Sequence, residues 1–348
     1  MTTLAPPAEA TSRDATIRAF LAAAGWGAAT RTVLAGDASP RRYERLTIGA
    51  RRAVLMDAAP GPDADPWPFL AVTAWLRGAG FSAPEVLAAD PAAGLILLED
   101  LGDALYARLL AEDPADEPAL YAAAVDLLAA LHGLPPPAGD AAWRPGRYDV
   151  ATYTREARLA IDWYLPAATG APVSADREAE FDALIAGLTA PLAEGPAVAV
   201  LRDYHAENLI WLPRRAGHAR VGLLDYQDLL LGHPAYDLVS LLEDARRDTS
   251  PDLRAAMTAR YCAATGAEPE GFAAAAAVLA AQRNLKILGI FARLCRRDGK
   301  PGYLRHLPRV WDHLVRDLAH PVLAPLRAWC ACLPAPDDAI RARIEKPA

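Results

Sequence analysis

The stretch Val200–Asp228 reads VLRDYHAENLIWLPRRAGHARVGLLDYQD. It holds two apolar segments of strand length, each ending in polar residues. Asp203 stands five residues before Asn208, and Asp225 follows seventeen residues later, directly after Gly222-Leu223-Leu224. Short apolar runs of this kind read as buried strands. A carboxylate or amide at the end of such a strand is expensive to desolvate unless something there uses it.

Phosphoryl transfer from a nucleotide uses such a set. One carboxylate orients the attacking hydroxyl and accepts its proton, hard oxygen ligands hold magnesium against the phosphates, and cations or backbone N–H groups offset the phosphate charge. An Asp five residues before an Asn has the spacing of a catalytic loop, with the Asp toward the hydroxyl and the Asn oxygen toward the metal. Asp225, closing the next apolar strand, supplies a second metal ligand. Either element alone also occurs as an ordinary turn or cap. Their combination, with "AYDL" opening a helix shortly after Asp225, points to the catalytic reading.

The rest of the chain frames this stretch. At 348 residues it is long enough for two lobes and a sizeable core. Its 36 basic and 43 acidic side chains give a net charge of −7, which argues against a general nucleic-acid binder. Cys262, Cys295, Cys330 and Cys332 lack zinc-site spacing and read as reduced thiols of a cytosolic protein. No signal peptide and no bilayer-spanning apolar run are read, so the expected setting is the cytoplasm, with no membrane partner and a monomeric chain. The pattern along the sequence is α+β. A small antiparallel β-rich lobe (1–98, with 1–11 disordered) leads through a connector (99–103) to a larger, mostly helical lobe (104–348).

"RDYHAENLI", "GLLDYQD" and "GHPAYDLVSLL" together resemble the aminoglycoside phosphotransferase and choline kinase group, which has a protein-kinase-like two-lobe fold. The resemblance implies ATP as donor, Asp203 as base, and Asn208 and Asp225 as magnesium ligands. The His that usually opens the catalytic loop of that group is Leu201 here. Asp237 is read as structural, bonding the backbone of the catalytic loop. Such a fold also carries a Lys on its third strand and a Glu on the following helix. Here the Lys position falls on Met56, and "PWPFLAVTAWLRGAG" contains no acid. The turn "GDASPRRY" is the substitute phosphate holder: Gly36 and Ser39 give exposed N–H groups, and Arg41 or Arg42 a cation, with strand alternation turning only one of the two inward. The alternative is a plain hairpin with solvated arginines. Backbone groups from Glu99 to Leu101 fit the adenine, with Leu98 beside the ring.

A wider set, including "LLEDLGD", "DWYLP", "LRDYHAENLIWL" and "AAQRNLKILGIFARL", resembles the bacterial anomeric kinases of N-acetylmuramate and N-acetylglucosamine in cell-wall recycling. That resemblance implies an amino-sugar acceptor phosphorylated at C1. Acceptor candidates are His205 and Glu207 in the loop, Glu156 and Trp163 seven apart on one helix face, and Gln282, Arg283 and Lys286 on another helix. Each has a plainer reading as a turn residue, a core aromatic or a solvated charge. Two rivals stay open: an aminoglycoside acceptor, which acidic Glu207, Asp237 and Glu243 allow, and a kinase-like binding module, which the missing Lys and Glu allow.

Overall fold

The computed structural model describes residues 8–34, 41–61, 65–139 and 142–346. They form two compact units. The first is drawn from 1–104, 138–144 and 210–228, the second from 105–137, 145–209 and 229–348.

In the first unit, helix α1 (Ala8–Ala23) precedes five antiparallel strands: β1 (Thr30–Val33), β2 (Arg42–Ile48), β3 (Arg51–Asp57), β4 (Val86–Asp90) and β5 (Leu95–Glu99). Their order across the sheet is β1-β2-β3-β5-β4. Alternation sends Leu46, Ala53, Leu55, Leu95 and Leu97 to one face, where they pack with Ile17, Leu21 and Trp26. Met56, paired with Tyr43 and Ile96, is fully buried. Helix α2 (Trp67–Gly78) lies between β3 and β4 in sequence and buries Phe69, Val72, Thr73 and Leu76, the spacing of one helical face.

The hairpin strands Leu209–Trp211 and Val221–Leu223 belong to this unit from Ile210 onward. Ser82 bridges Gly222, and the N–H of Leu223 donates to the Ser82 carbonyl at 3.0 Å. This grouping differs from the contiguous division at 98/99 and 103/104 expected from sequence. Backbone pairing at Ser82 draws a late hairpin to the early sheet, and no local pattern announces such a long-range pairing. Helix α1 also starts at Ala8, so 8–11 are helical, while 1–7 lie outside the described residues.

The second unit is mainly helical: α3 (Tyr106–Glu112), α4 (Glu117–His132), α5 (Val150–Ala157), α6 (Leu165–Thr169), α7 (Ala175–Glu194), α8 (Ala235–Leu242), α9 (Pro251–Thr265), α10 (Pro269–Arg296), α11 (Leu307–Asp317), α12 (Ala324–Cys330) and α13 (Asp338–Glu345). A small sheet places Leu230–Gly232 between Gly146–Arg147 and Val198–Val200. Between α5 and α6 the chain makes a π-helical segment, Ala160–Tyr164.

Helix α10 is the axis of the core. Leu285, Leu288, Phe291 and Ala292 pack with Ile161 and Tyr164 of the π segment and with Leu307, Val310 and Leu314. By length and composition α10 could cross a bilayer, contrary to the sequence expectation that no run is long enough, but most of its apolar window is buried inside this unit. Gly289 meets the π segment edge-on: a Cβ there would overlap the Leu159 carbonyl.

Alanine normally favours a helix over glycine by about 1 kcal/mol. At Gly289 the sign should reverse, because overlap with backbone cannot be relieved by a rotamer change. Gly289→Ala is expected to destabilise by about 1–3 kcal/mol, read as a fall of several degrees in Tm. A variant as stable as the parent would show that the helix and the π segment can separate freely.

Candidate active site

The second unit carries the loop. It leaves the strand Val198–Val200, turns at Arg202 and closes in a 3₁₀ turn, Ala206–Asn208. The turn is unusual. Arg202 has φ of 72°, and the Asp203 N–H donates to the Leu201 carbonyl at 2.9 Å. That is a three-residue turn with a left-handed central residue, a conformation that costs an arginine roughly 1–3 kcal/mol.

The surroundings hold it. Asp237, fully buried in α8, accepts the N–H of Leu201 at 2.6 Å and of Arg202 at 2.8 Å. Ser240 donates to the Arg202 carbonyl at 3.1 Å. Asp237 is therefore structural, as the sequence implied. Burial pushes its carboxyl up to about 7, against the pull of the two N–H donors. Asp203 itself is half-buried.

Asn208 is oriented by the same loop. Its Nδ2 donates to the Asp203 carbonyl at 2.9 Å and lies 3.5 Å from His205 Nε2. With both amide hydrogens on that side, Oδ1 faces the other way as a hard acceptor. Burial lowers the pKa of His205, and its buried Nδ1 has no hydrogen-bond partner. Glu207 is exposed.

Glu156, Arg202 and Lys286 form one cluster. Lys286 Nζ lies 3.0 Å from Glu156 Oε1, Arg202 bonds the same oxygen, and the Tyr148 hydroxyl donates to Oε2. Burial works to raise the pKa of Glu156, but Lys286, Arg202 and Tyr148 together bring it below the ordinary value. The other acceptor candidates have protein partners of their own. Gln282 donates to the Tyr153 carbonyl at 3.0 Å, and Arg283 to the Glu243 carbonyl at 3.4 Å. Trp163 packs against the α10 core. Between it and Glu156 the chain changes from α5 to the π segment Ala160–Tyr164.

The first unit carries Asp225, exposed at the turn after Val221–Leu223 with φ of 56°, a conformation Asp tolerates well. Its neighbours anchor it. Tyr226 hydrogen-bonds Thr73 at 2.7 Å and stacks on Phe69 at 5.4 Å, both from α2. Gln227 donates to Asp225 Oδ1 at 2.8 Å, and its buried Oε1 has no hydrogen-bond partner. Gly222 admits no Cβ comfortably, with Leu101, Ile210 and Leu212 all within 3.2 Å of one.

Of the two arginines, Arg42 sits exposed on β2, whereas Arg41 hydrogen-bonds Tyr43. Burial pushes Tyr43 up to about 12, with Arg41 acting to lower it and Asp225 to raise it, so Arg41, Tyr43 and Asp225 share one electrostatic neighbourhood. Gly36 and Ser39 lie outside the described residues. The Glu99 side chain is paired with Arg215 at 2.5 Å, and its N–H donates to Glu85 at 2.8 Å. Among the described residues no three His, Cys, Asp or Glu side chains converge as a metal cage. Magnesium is commonly held by one or two carboxylates, with phosphate oxygens completing the shell. The Asp225 carboxylate in the first unit and the Asn208 amide oxygen in the second are each of that donor type.

A family model described as the phosphotransferase enzyme family matches residues 30–278. A curated N-acetylmuramate/N-acetylglucosamine kinase of Caulobacter vibrioides is 44% identical, the alignment covering 91% of this chain and 95% of the relative. One of Pseudomonas aeruginosa with the same name is 37% identical over 92% and 94%. Among solved structures, the GDP complex of aminoglycoside 2'-phosphotransferase-IIIa superposes with a TM-score of 0.62 at 13% identity, covering 87% of this chain and 99% of that one. A choline/ethanolamine kinase family protein of Mesorhizobium loti gives 0.56 at 19%, covering 96% and 99%. The fold is thus the α+β, protein-kinase-like one.

Asp237→Asn tests the support of the loop. An amide has one acceptor oxygen where the carboxylate has two, so one of the two buried N–H groups would be left facing an NH₂. The expected loss is about 1–3 kcal/mol, measured by urea unfolding. Unchanged stability would mean that the turn is held without Asp237.

Proposed function

Because this chain belongs to the phosphotransferase enzyme family, we propose that it transfers the γ-phosphoryl group of ATP to the C1 hydroxyl of N-acetylmuramate and N-acetylglucosamine. The product is the α-1-phosphate, and the setting is the recycling of peptidoglycan in the cytoplasm, where ATP is available. The observation that carries this reading is the 44% identity extending over nearly the whole of both chains. A family resemblance restricted to the catalytic loop would leave the acceptor open.

In this reading Asp203 accepts the proton of the C1 hydroxyl. A hemiacetal hydroxyl is more acidic than an ordinary alcohol, so a carboxylate base suffices. Asn208, through Oδ1, and Asp225 hold magnesium, which when bound neutralises charge on the phosphate oxygens. Arg41 takes the phosphate-binding part that the buried Met56 cannot play. His205, within the loop, is the candidate contact for a polar group of the sugar.

The experiment is ATP consumption across a panel of amino sugars and aminoglycosides, with the phosphate position read by NMR. The expected product is a C1 phosphate of the N-acetyl sugars. Preferential turnover of an aminoglycoside, or none at all, would overturn the reading. Asp203→Asn is expected to lower kcat by about 10²–10⁴ while nucleotide still binds. Retained turnover would remove Asp203 from the chemistry. Arg41→Ala should raise the KM for ATP and lower kcat together, and Arg42→Ala should leave both near the parent. Parent-like kinetics in both variants would assign the phosphates to another group.

A further inference from the structure

The geometry points to Glu156 as a positioning residue for Asp203 rather than a ligand of the sugar, an inference that rests on the phosphotransfer reading above. Arg202, whose backbone is left-handed, precedes the base directly. Asp237 and Ser240 grip the backbone of that turn. Its side chain is fixed separately. The guanidinium bonds Glu156 Oε1 and lies 5.7 Å from the centre of the Tyr148 ring. Glu156 thus anchors the outer end of the residue whose inner end sets the direction of Asp203.

The hydrogen-bond arithmetic of Glu156 supports this role. Oε1 takes both Arg202 and Lys286, and Oε2 takes the Tyr148 hydroxyl. Both oxygens are already engaged by protein donors in a buried site, and a sugar hydroxyl would have to displace one of them. Tyr148 stacks on Tyr153 at 4.1 Å and packs on Tyr236 at 4.9 Å, and Lys286 Nζ lies 3.4 Å from the Tyr236 hydroxyl. The aromatic rings keep water from competing for the carboxylate, so the pairing is little screened.

Without Glu156, two buried cations would face one another with no anion between them. Their repulsion drives Arg202 outward, and the strained turn loses its outer anchor. Asp203 then samples several orientations. A misplacement of about 1 Å at a reacting group costs on the order of 10² in rate. Substrate affinity should be little changed, because both carboxylate oxygens are already taken by protein donors.

The test is steady-state phosphoryl transfer by the full chain, with ATP and N-acetylmuramate varied separately. Glu156→Gln is expected to lower kcat about 10²-fold with both KM values within about threefold of the parent. Glu156→Asp should recover part of the rate. Adding Lys286→Met to Glu156→Gln should also recover part, since the unpaired cation leaves with the anion. A rise of tenfold or more in the sugar KM at unchanged kcat would make Glu156 a substrate ligand and overturn the inference. Parent-like kinetics would overturn it as well. If Glu156→Gln does not fold, Tyr148→Phe, which removes one bond to the carboxylate, should still lower kcat severalfold at constant KM, and a parent-like kcat there overturns the inference. Should the parent phosphorylate none of the sugars, the proposed function fails on its own. The positioning role is then read from hydrogen exchange: the Asp203 amide should exchange at least tenfold faster in Glu156→Gln, and an unchanged rate refutes it.

Discussion

The carboxylate of Asp237, with its two backbone N–H donors, is the interaction on which the loop depends. It joins the first turns of α8 to the residues just before Asp203. Without it the left-handed Arg202 would relax to an ordinary conformation, and the loop would leave the strand in another direction. Everything downstream follows from that exit angle: the 3₁₀ turn, the bond from Asn208 to the Asp203 carbonyl, and the side to which the Asn208 oxygen is released.

The carboxylates singled out in the two units are supported by different means. In the helical unit, buried carboxylates are matched by buried donors: Glu156 takes Arg202 and Lys286, and the neutral Asn284 amide donates to both Glu243 and Asp317. In the sheet unit, Asp225 stands in the open, and it is the neighbouring Tyr226 that is buried, locked to Thr73 and Phe69. A helix with no acidic residue therefore still fixes the Asp225 turn, by packing instead of by an ion pair. Met56 and the buried face of α2 are apolar parts of the core.

Much of this was legible in the residues, and the misses share a cause. The limits of α2 were readable because Phe69, Val72, Thr73 and Leu76 mark one face and Gly78 stops it. The role of Asp237 was readable from its place at a helix start beside the loop. The π segment was not, because a wider turn leaves no mark in a run such as AIDWY. The pairing of Ser82 with Gly222 was equally silent, since a parallel bridge across so many residues has no local pattern. Glu156 was visible as a polar residue on a helix, but its partners come from Tyr148, Arg202 and Lys286, three separate segments.

The run Gln282-Arg283-Asn284 has a meaning for the newly made chain as well. It lies near the middle of α10, a helix with the length and mean hydropathy of a membrane anchor. An arginine at the centre of such a segment disfavours insertion into lipid by about 2.5–3.5 kcal/mol on the scale of the cellular insertion machinery. The same side chains that bind Tyr153, Glu243 and Asp317 in the folded protein thus weigh against lateral exit into a bilayer during synthesis. An apolar replacement of the three would strip the core of its polar fastenings and, in the same stroke, remove that cost of insertion.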